Sequence, residues 1–160
     1  MRNLHKRHSR ARGFSLIELM IVIAIIGILI GVGVPAWQLM VRRGNEAAAT
    51  RTIDTIKTVQ ADYAAGHRGQ YATFNELVKE KSLDERFAGD APVVSGYIFT
   101  MKVVPKTTGQ PATYSVNADP QQGEGIGATG KRHFYFDPNL STTRENPDQP
   151  ATASDPPIGQ

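Results

Sequence analysis

One carboxylate lies where a charge is costly. Glu18 is the only charged residue between Phe14 and Val41, a run of 28 residues rich in Ile, Leu, Val and Gly. A charged side chain inside a membrane-spanning helix costs about 2.5–3.5 kcal/mol on insertion scales, and a functional role is its default interpretation. A cationic partner would offset that cost, so Glu18 predicts an ion pair. The alternative is a carboxylate that simply reaches the lipid headgroups, because Glu18 lies close to the membrane edge.

The residues that usually carry catalysis or bind metals are not arranged for either task. No cysteine is present, and no Ser lies in a Gly-x-Ser-x-Gly elbow. The four histidines show no ligand spacing: His5, His8, His67 and His133. The loop acids fit no defined calcium loop: Asp119, Glu124 and Asp137. We therefore expect a structural, non-enzymatic protein with no cofactor and no metal.

Basic charge is concentrated at the N-terminus. Residues 1–13 hold five of the 18 Lys and Arg and none of the 15 Asp and Glu. Residues 14–160 therefore keep 13 basic and 15 acidic residues, a formal net charge of −2. A short basic block beside an apolar run is typical of membrane topology rather than of nucleic-acid binding. The triplet Lys131–His133 is too small to favour a nucleic-acid partner.

The apolar run is long enough to cross a bilayer. As a helix, the 24 residues from Phe14 to Trp37 would span about 36 Å, against a hydrocarbon core of about 30 Å. The basic block should stay in the cytoplasm, with the C-terminus outside, and Arg42 and Arg43 mark the exit from lipid. A plain membrane anchor is one interpretation. A secretory signal peptide is another, but its apolar core is normally about 7–15 residues and Val34-Pro35-Ala36 is a poor cleavage site.

A third interpretation explains the features together. The sequence Gly13-Phe14-Ser15-Leu16-Ile17-Glu18-Leu19 resembles the type IV prepilin signature, which is shared by type IV pilins and the pseudopilins of type II secretion systems. The resemblance implies removal of residues 1–13 by a membrane-embedded prepilin peptidase, with cleavage between Gly13 and Phe14 and N-methylation of Phe14. It also implies that Glu18 pairs with the new amine on Phe14 of an adjacent subunit during filament assembly.

Pro35 is the second informative residue of this segment. Proline inside a helix removes a backbone hydrogen bond and kinks or breaks the helix, and Pro35 follows Gly27, Gly31 and Gly33. Family members carry a proline at the matching position, so the resemblance implies a stretch that loosens when subunits leave the membrane for a filament. An ordinary transmembrane kink is the alternative, since Gly and Pro are frequent in such helices.

Beyond the membrane segment the sequence predicts an α+β, pilin-like fold. Residues 42–66 should continue the helix, and an apolar stripe recurs at spacings of three and four: Ala49, Ile53, Ile56, Val59 and Tyr63. Thr73 and Glu76 are predicted to form a capping box for a short helix that ends at about Lys81. Alternating residues predict about three antiparallel strands, at 97–104, 113–117 and 133–137. The amphipathic helix should cover the apolar face of this sheet.

Five segments result. They are a leader (1–13), a transmembrane or filament-core helix (14–41), an amphipathic continuation (42–66), a globular pilin domain (67–140) and a Pro-rich tail predicted to be disordered (141–160).

The predicted function is a structural subunit of a type IV pilus-like filament, for adhesion, motility, DNA uptake or secretion. A type II secretion pseudopilin is the first alternative, and a membrane-anchored extracytoplasmic binding domain that uses prepilin processing is the second. The resemblance implies the following partners: the chain itself as a helical homopolymer, other pilins, the peptidase, an inner-membrane platform with its assembly ATPase, and the lipid bilayer. It implies an inner-membrane location followed by a periplasmic or extracellular filament.

Overall fold

The computed structural model describes residues 13–159. The basic leader therefore lies outside the described residues, except for Gly13. The chain forms two compact units that join in sequence between Trp37 and Gln38. The helices are α1 (Leu16–Gly66) and α2 (Phe74–Lys79), with one 3-10 turn at Glu85–Phe87. The strands are β1 (Val93–Val94), β2 (Tyr97–Val104), β3 (Thr113–Pro120), β4 (His133–Phe136) and β5 (Arg144–Asn146).

The first unit consists of the N-terminal part of α1. Its large apolar side chains are exposed, from Leu16 at 75% to Trp37 at 69%. Among residues 13–159, α1 is the one helix that is long and apolar enough to cross a membrane. A helix that is apolar on all sides suits a lipid environment or the interior of an assembly.

The second unit contains the C-terminal half of α1, which packs one face on the core. The buried residues of α1 recur at spacings of three and four: Glu46, Ala49, Ile53, Ile56 and Gln60. Val59 and Tyr63 pack against the same core while remaining partly exposed. The predicted amphipathic stripe is confirmed, and two polar residues, Glu46 and Gln60, extend it in a way that the apolar pattern did not indicate.

The turn from α1 to α2 follows its sequence signals. α1 ends at Gly66, and the backbone N–H of Gly69 donates to the carbonyl of Ala64 at 2.9 Å. The capping box is confirmed: the Thr73 side chain accepts from the Glu76 N–H, and the Glu76 carboxylate accepts from the Thr73 N–H at 2.7 Å. These bonds satisfy backbone donors that the first turn of a helix would otherwise leave unpaired.

The sheet is antiparallel with the strand order β1-β2-β3-β4-β5. The three predicted strands are present, but the expected count of about three is too small, because β1 and β5 add one short strand at each edge. β3 also continues beyond its predicted end at Asn117, since Pro120 pairs with Tyr97. Such short edge strands give no periodic pattern from which the sequence could reveal them.

One apolar core joins the sheet, α2 and the second half of α1. Tyr97 and Phe99 of β2, Val116 of β3 and Phe134 of β4 are fully buried. They form one cluster with the buried residues of α1 and α2. The helix covers the sheet as the sequence predicts, which confirms the α+β, pilin-like class.

The C-terminal segment differs from its expectation. Where the sequence predicts a disordered tail, the structure has β5 and a returning segment whose Ile158 N–H donates to the Thr143 carbonyl at 3.1 Å. Asn117 donates from its side chain to the carbonyl of Ala151 at 3.0 Å, and Ala151 is 2% exposed. Prolines and polar residues dominate this segment, so its order comes from these specific hydrogen bonds rather than from apolar burial.

Candidate assembly and processing site

The Gly13–Phe14 junction lies in the short extended segment before α1, which begins at Leu16. Both residues are exposed, and the Phe14 side chain is 82% exposed. A Cβ atom added to Gly13 would meet nothing within 4 Å. The fold of this chain therefore gives no packing reason for glycine at this position. The junction is an accessible peptide bond beside a helix start.

Glu18 caps the beginning of α1. Its Oε2 accepts a hydrogen bond from the Ser15 N–H at 2.9 Å. The carboxylate lies in the first turn, where the positive end of the helix dipole favours a negative charge. The structure thus brings Glu18 to the residue next to Phe14. A carboxylate accepts through two oxygens, so Glu18 can keep this bond and still accept from a second donor.

Pro35 lies inside α1, which the structure describes as one helix from Leu16 to Gly66. Gly27, Gly31 and Gly33 precede it, and a Cβ added to any of these glycines would meet nothing within 4 Å. No contact within the first unit therefore requires them to be glycine. These glycines lower the stability of the helix here, because the flexible Gly backbone loses more conformational entropy and costs about 1 kcal/mol relative to Ala in a helix interior.

A cluster of charged side chains joins α1 to the sheet, and the sequence analysis did not predict it. Glu46 accepts hydrogen bonds from the Lys131 N–H at 3.0 Å and from the Arg132 Nε–H at 2.9 Å. Arg132 also bonds Glu145 of β5 at 2.6 Å. Burial opposes the Arg132 charge, but its bonds to both carboxylates outweigh burial and raise the pKa of the guanidinium above its ordinary value. The signal was available, because Glu46 lies three residues before Ala49 on the apolar stripe.

Gln60 forms a neutral counterpart on the same stripe. Its side chain donates to the Ala72 carbonyl at 2.6 Å and accepts from the Ala72 N–H at 3.0 Å. Gln60 is fully buried. The Gln60 amide thus satisfies both backbone groups of Ala72, as a neighbouring strand would do in a sheet. These two bonds fix the loop before α2.

The segment between β3 and β4, residues 121–130, is held against α1. Asn45 donates from its side chain to the Thr129 carbonyl at 2.8 Å, and Arg42 Nη2 donates to the Gly125 carbonyl at 2.9 Å. Gly130 touches the ring and hydroxyl of Tyr97 so closely that a Cβ would overlap them. This glycine is therefore required by close packing. The segment is a fixed loop with defined contacts.

The other candidate residues take structural partners. His133 Nδ1 lies 2.6 Å from Asp119 Oδ1 across β4 and β3, and Asp137 accepts from the Asn139 N–H at 2.7 Å. In the part of the chain that the structure describes, no three His, Cys, Asp or Glu side chains are grouped to hold a metal ion. Arg132 is turned into the ion-pair cluster, so only Lys131 of the basic triplet points to solvent.

The N-terminal segment matches a known family description. Residues 8–34 match the "prokaryotic N-terminal methylation motif". The chain is 48% identical over 58 residues to the type IV narrow pilus major component PilA5 of Thermus thermophilus, covering 32% of this chain and 50% of that protein. It is 38% identical over 69 residues to the type IV major pilin protein PilA of Myxococcus xanthus, covering 42% and 31%. For the type IV major pilin protein PilE of Neisseria gonorrhoeae, identity is 43% over 56 residues, covering 35% and 34%.

The chain thus spans half or less of the length of these curated relatives. Residues 8–34 carry the matched motif, and the observed fold has the long helix and antiparallel sheet that the resemblance to pilins implies. The N-terminal part of the chain therefore carries the motif of type IV prepilins, and the chain is similar to type IV pilins.

Proposed function

We propose that this chain is a structural subunit of a type IV pilus-like filament, and that Glu18 is its assembly residue. One observation carries the proposal. Glu18 is the single carboxylate in the first turn of α1, and the side chains that follow it along the first unit are apolar and exposed. In lipid or in a filament core, such a charge needs a partner of opposite sign. Cleavage between Gly13 and Phe14 would create that partner as a new N-terminal ammonium.

The position of Glu18 supports pairing with a neighbouring subunit. Its Oε2 already accepts from the Ser15 N–H of its own chain, which turns the carboxylate toward the N-terminal end of α1. Two opposite charges about 4 Å apart attract by roughly 4 kcal/mol at an effective dielectric constant of about 20. Methylation of the amine on Phe14 keeps its positive charge, so the pairing survives that modification.

The proposal assigns a separate role to each segment of the chain. Residues 1–13 are the leader that the prepilin peptidase removes, and residues 14–41 hold the subunit in the inner membrane before they enter the filament core. Residues 42–66 join this helix to the globular part, residues 67–140, which faces outward. Pro35 with the glycines before it gives a weakly stabilised stretch that can lengthen during extraction from the bilayer by the platform and assembly ATPase.

The relatives favour a pilus over a secretion pseudopilus. The three relatives above are named as a pilus component or as pilins. Assembly with copies of itself and with other pilins is therefore the proposed partnership, and a periplasmic or extracellular filament is the proposed destination. No observation on residues 13–159 favours the membrane-anchored binding domain.

The decisive experiment separates the charge of Glu18 from its capping role. Glu18→Gln keeps an oxygen that can accept from the Ser15 N–H but removes the charge. We expect normal cleavage of this variant and loss of filaments, scored by electron microscopy of sheared cells and by mass spectrometry of the mature N-terminus. Glu124→Gln, the same change on an exposed loop, should leave filaments intact. Wild-type filament yield from Glu18→Gln, or an N-terminus other than methylated Phe14, would overturn the proposal.

A further inference from the structure

The C-terminal segment, residues 143–158, is attached to α1 through Arg132. The Nε of Arg132 donates to Glu46 of α1 at 2.9 Å, and its Nη1 donates to Glu145 of β5 at 2.6 Å. Glu46 is 7% exposed, and the Glu145 side chain is 15% exposed. Charge-assisted bonds are among the stronger hydrogen bonds in proteins, and burial reduces their screening by salt. This bridge therefore connects the beginning of the C-terminal segment to the helix.

A second bond joins the same two elements. Lys57 of α1 donates from its Nζ to the Thr143 hydroxyl at 3.0 Å, and Thr143 is buried. The Lys57 Nζ also lies 4.2 Å from the centre of the Phe136 ring, a position that favours a cation. Lys57 follows Glu46 by eleven residues, close to three whole turns, so both side chains lie on one face of α1 about 16.5 Å apart. The segment therefore has two points of attachment on one face of the helix.

The two attached residues also hold the end of the segment. The Ile158 N–H donates to the Thr143 carbonyl at 3.1 Å, and the Glu145 N–H donates to the Pro156 carbonyl at 2.9 Å. Thr143 and Glu145 thus bind α1 or its partner Arg132 through their side chains and bind the returning chain through their backbones. A shift of either residue away from α1 would disturb both sets of bonds.

Apolar burial contributes little to closing this segment. Ala151 is buried, but Ile158, its one large aliphatic residue, is 36% exposed. The Nε of Arg144 is buried without a hydrogen-bond partner among residues 13–159, and an unsatisfied buried donor costs stability. The closed state therefore depends on polar contacts, including the two to α1. Loss of one of these contacts should increase the fraction of time that the segment is open.

We propose that residues 143–158 form a conditional latch, which closes stably on the sheet only when α1 is docked and opens when the helix leaves. Helix docking and latch closure then stabilise each other by the same free energy, because coupling between two sites is reciprocal. A chain whose helix has not docked presents its C-terminal segment as an open polar chain, whereas a completed chain does not. The segment thereby distinguishes completed chains from incomplete ones.

Amide hydrogen exchange of the full chain in detergent micelles, measured by mass spectrometry, tests this coupling from the side of the helix. Lys57→Met removes the ammonium that binds Thr143 and keeps an unbranched side chain next to Phe136. We expect several-fold faster exchange in residues 147–158, although position 57 lies outside them. Arg51→Met is the matched control, since it removes a cation from an exposed position of the same helix and should leave that exchange unchanged.

The same measurement tests the reverse direction. Glu145→Gln removes the charge that binds Arg132 from the C-terminal segment, and we expect several-fold faster exchange in residues 46–60 of α1. Asp148→Asn makes the corresponding change at an exposed position of the same segment and should leave α1 unchanged.

The central strands β2 and β3 are the internal reference for both directions. The latch predicts faster exchange in the element that was not mutated, with β2 and β3 unchanged. Equal acceleration in every part of the globular unit would mean that the whole unit unfolds, and it would overturn the latch as a separate element. Acceleration only in the element that carries the substitution would show that the two elements are independent, which also overturns the proposal.

Discussion

At the scale of single residues, Glu46 shows how a charge can be part of a helix–sheet interface. It is 7% exposed and bonds two backbone N–H groups and the guanidinium of Arg132. A buried carboxylate is tolerated when its partners satisfy it. Arg132 itself remains partly exposed and keeps Glu145 as a second partner. The cluster therefore fixes which part of α1 faces the start of β4.

Replacement of Glu46 by Gln should destabilise the globular unit. The amide keeps the shape but removes the charge from hydrogen bonds that the carboxylate accepts, and loss of a charged acceptor is worth about 2 kcal/mol. Urea unfolding of the full chain in detergent micelles, followed by near-ultraviolet circular dichroism of the tyrosines, measures the change. Glu124→Gln on the exposed loop is the control and should alter the free energy of unfolding by less than about 0.5 kcal/mol. Equal effects of the two changes would contradict the role of Glu46.

Glu76 gives the fold a dependence on acid pH. Its bonds from the Thr73 backbone N–H and then from the Thr73 hydroxyl lower the pKa of this carboxyl below its ordinary 4.5. A lowered pKa means that the stabilisation is present above pH 4.5 and is lost as the pH falls through the lowered value.

The advantage of the wild type over Glu76→Gln should follow that sign. At neutral pH, the wild type should be more stable by at most about 1 kcal/mol, the usual value of a helix cap. Unfolding of both proteins at a series of pH values should show this difference shrinking toward zero in acid. Glu80→Gln, the same substitution at the C-terminal end of α2, is the matched control. A difference that grows as the pH falls would refute the assignment.

At the scale of elements, the C-terminal segment is a strap fixed by side-chain hydrogen bonds. Asp155 accepts from the Thr152 N–H at 2.6 Å and from the Asn146 side chain at 2.8 Å. The Thr152 backbone bond is the main reason why the pKa of Asp155 lies below its ordinary value. These bonds connect the segment to β5, while Asn117 connects it to β3.

Asp155→Ala should therefore loosen the strap. We expect faster cleavage between residues 147 and 158 by a broad-specificity protease under native conditions, detected by mass spectrometry, because the segment would open more often without its bonds. Asp148→Ala removes an exposed acid from the same segment and should leave the cleavage rate unchanged. If Asp155→Ala and the wild type are cut at the same rate, the strap is not held by Asp155.

The contrast between β2 and β5 shows what the sequence could predict. β2 alternates Tyr97, Phe99 and Met101 with more exposed residues, so its period-two pattern is visible. β5, Arg144–Asn146, has no apolar residue and forms only because it pairs with β4 and with Pro156. Similarly, the Glu46 cluster joins positions 86 residues apart. Local patterns predict local elements, whereas pairings between distant polar residues depend on the finished fold.

The candidate residues at the N-terminus, by contrast, are defined by the sequence motif rather than by contacts in the fold. Gly13, Phe14 and Glu18 were identified from their order in the chain, and the described contacts add only the Ser15–Glu18 bond. Their roles depend on a peptidase and on neighbouring subunits, so the fold of one chain carries little information about them. They stay predictions until the processed N-terminus and the filament are examined.

At the scale of the whole molecule, processing should reverse the sign of the net charge. The chain has a formal net charge of +3 and a pI of about 9.3. Without residues 1–13 it keeps 13 basic and 15 acidic residues. Cleavage should therefore move the protein to the acidic side of neutrality in isoelectric focusing. A Gly13→Leu variant, which should resist the peptidase, would stay at the basic position, and an unchanged position for the wild type would exclude removal of the leader.

The strand order β1-β2-β3-β4-β5 has a consequence for the order in which the domain folds. Every strand pairs with its neighbour in sequence, so the sheet can grow hairpin by hairpin, through short loop closures that are fast. The contacts from Arg42, Asn45 and Glu46 to residues 125–132 join positions 83–86 apart. Their loops are entropically expensive until the sheet exists. A newly exported chain should therefore form its meander first and dock the helix last, so helix docking is the step that completes the subunit before it is used.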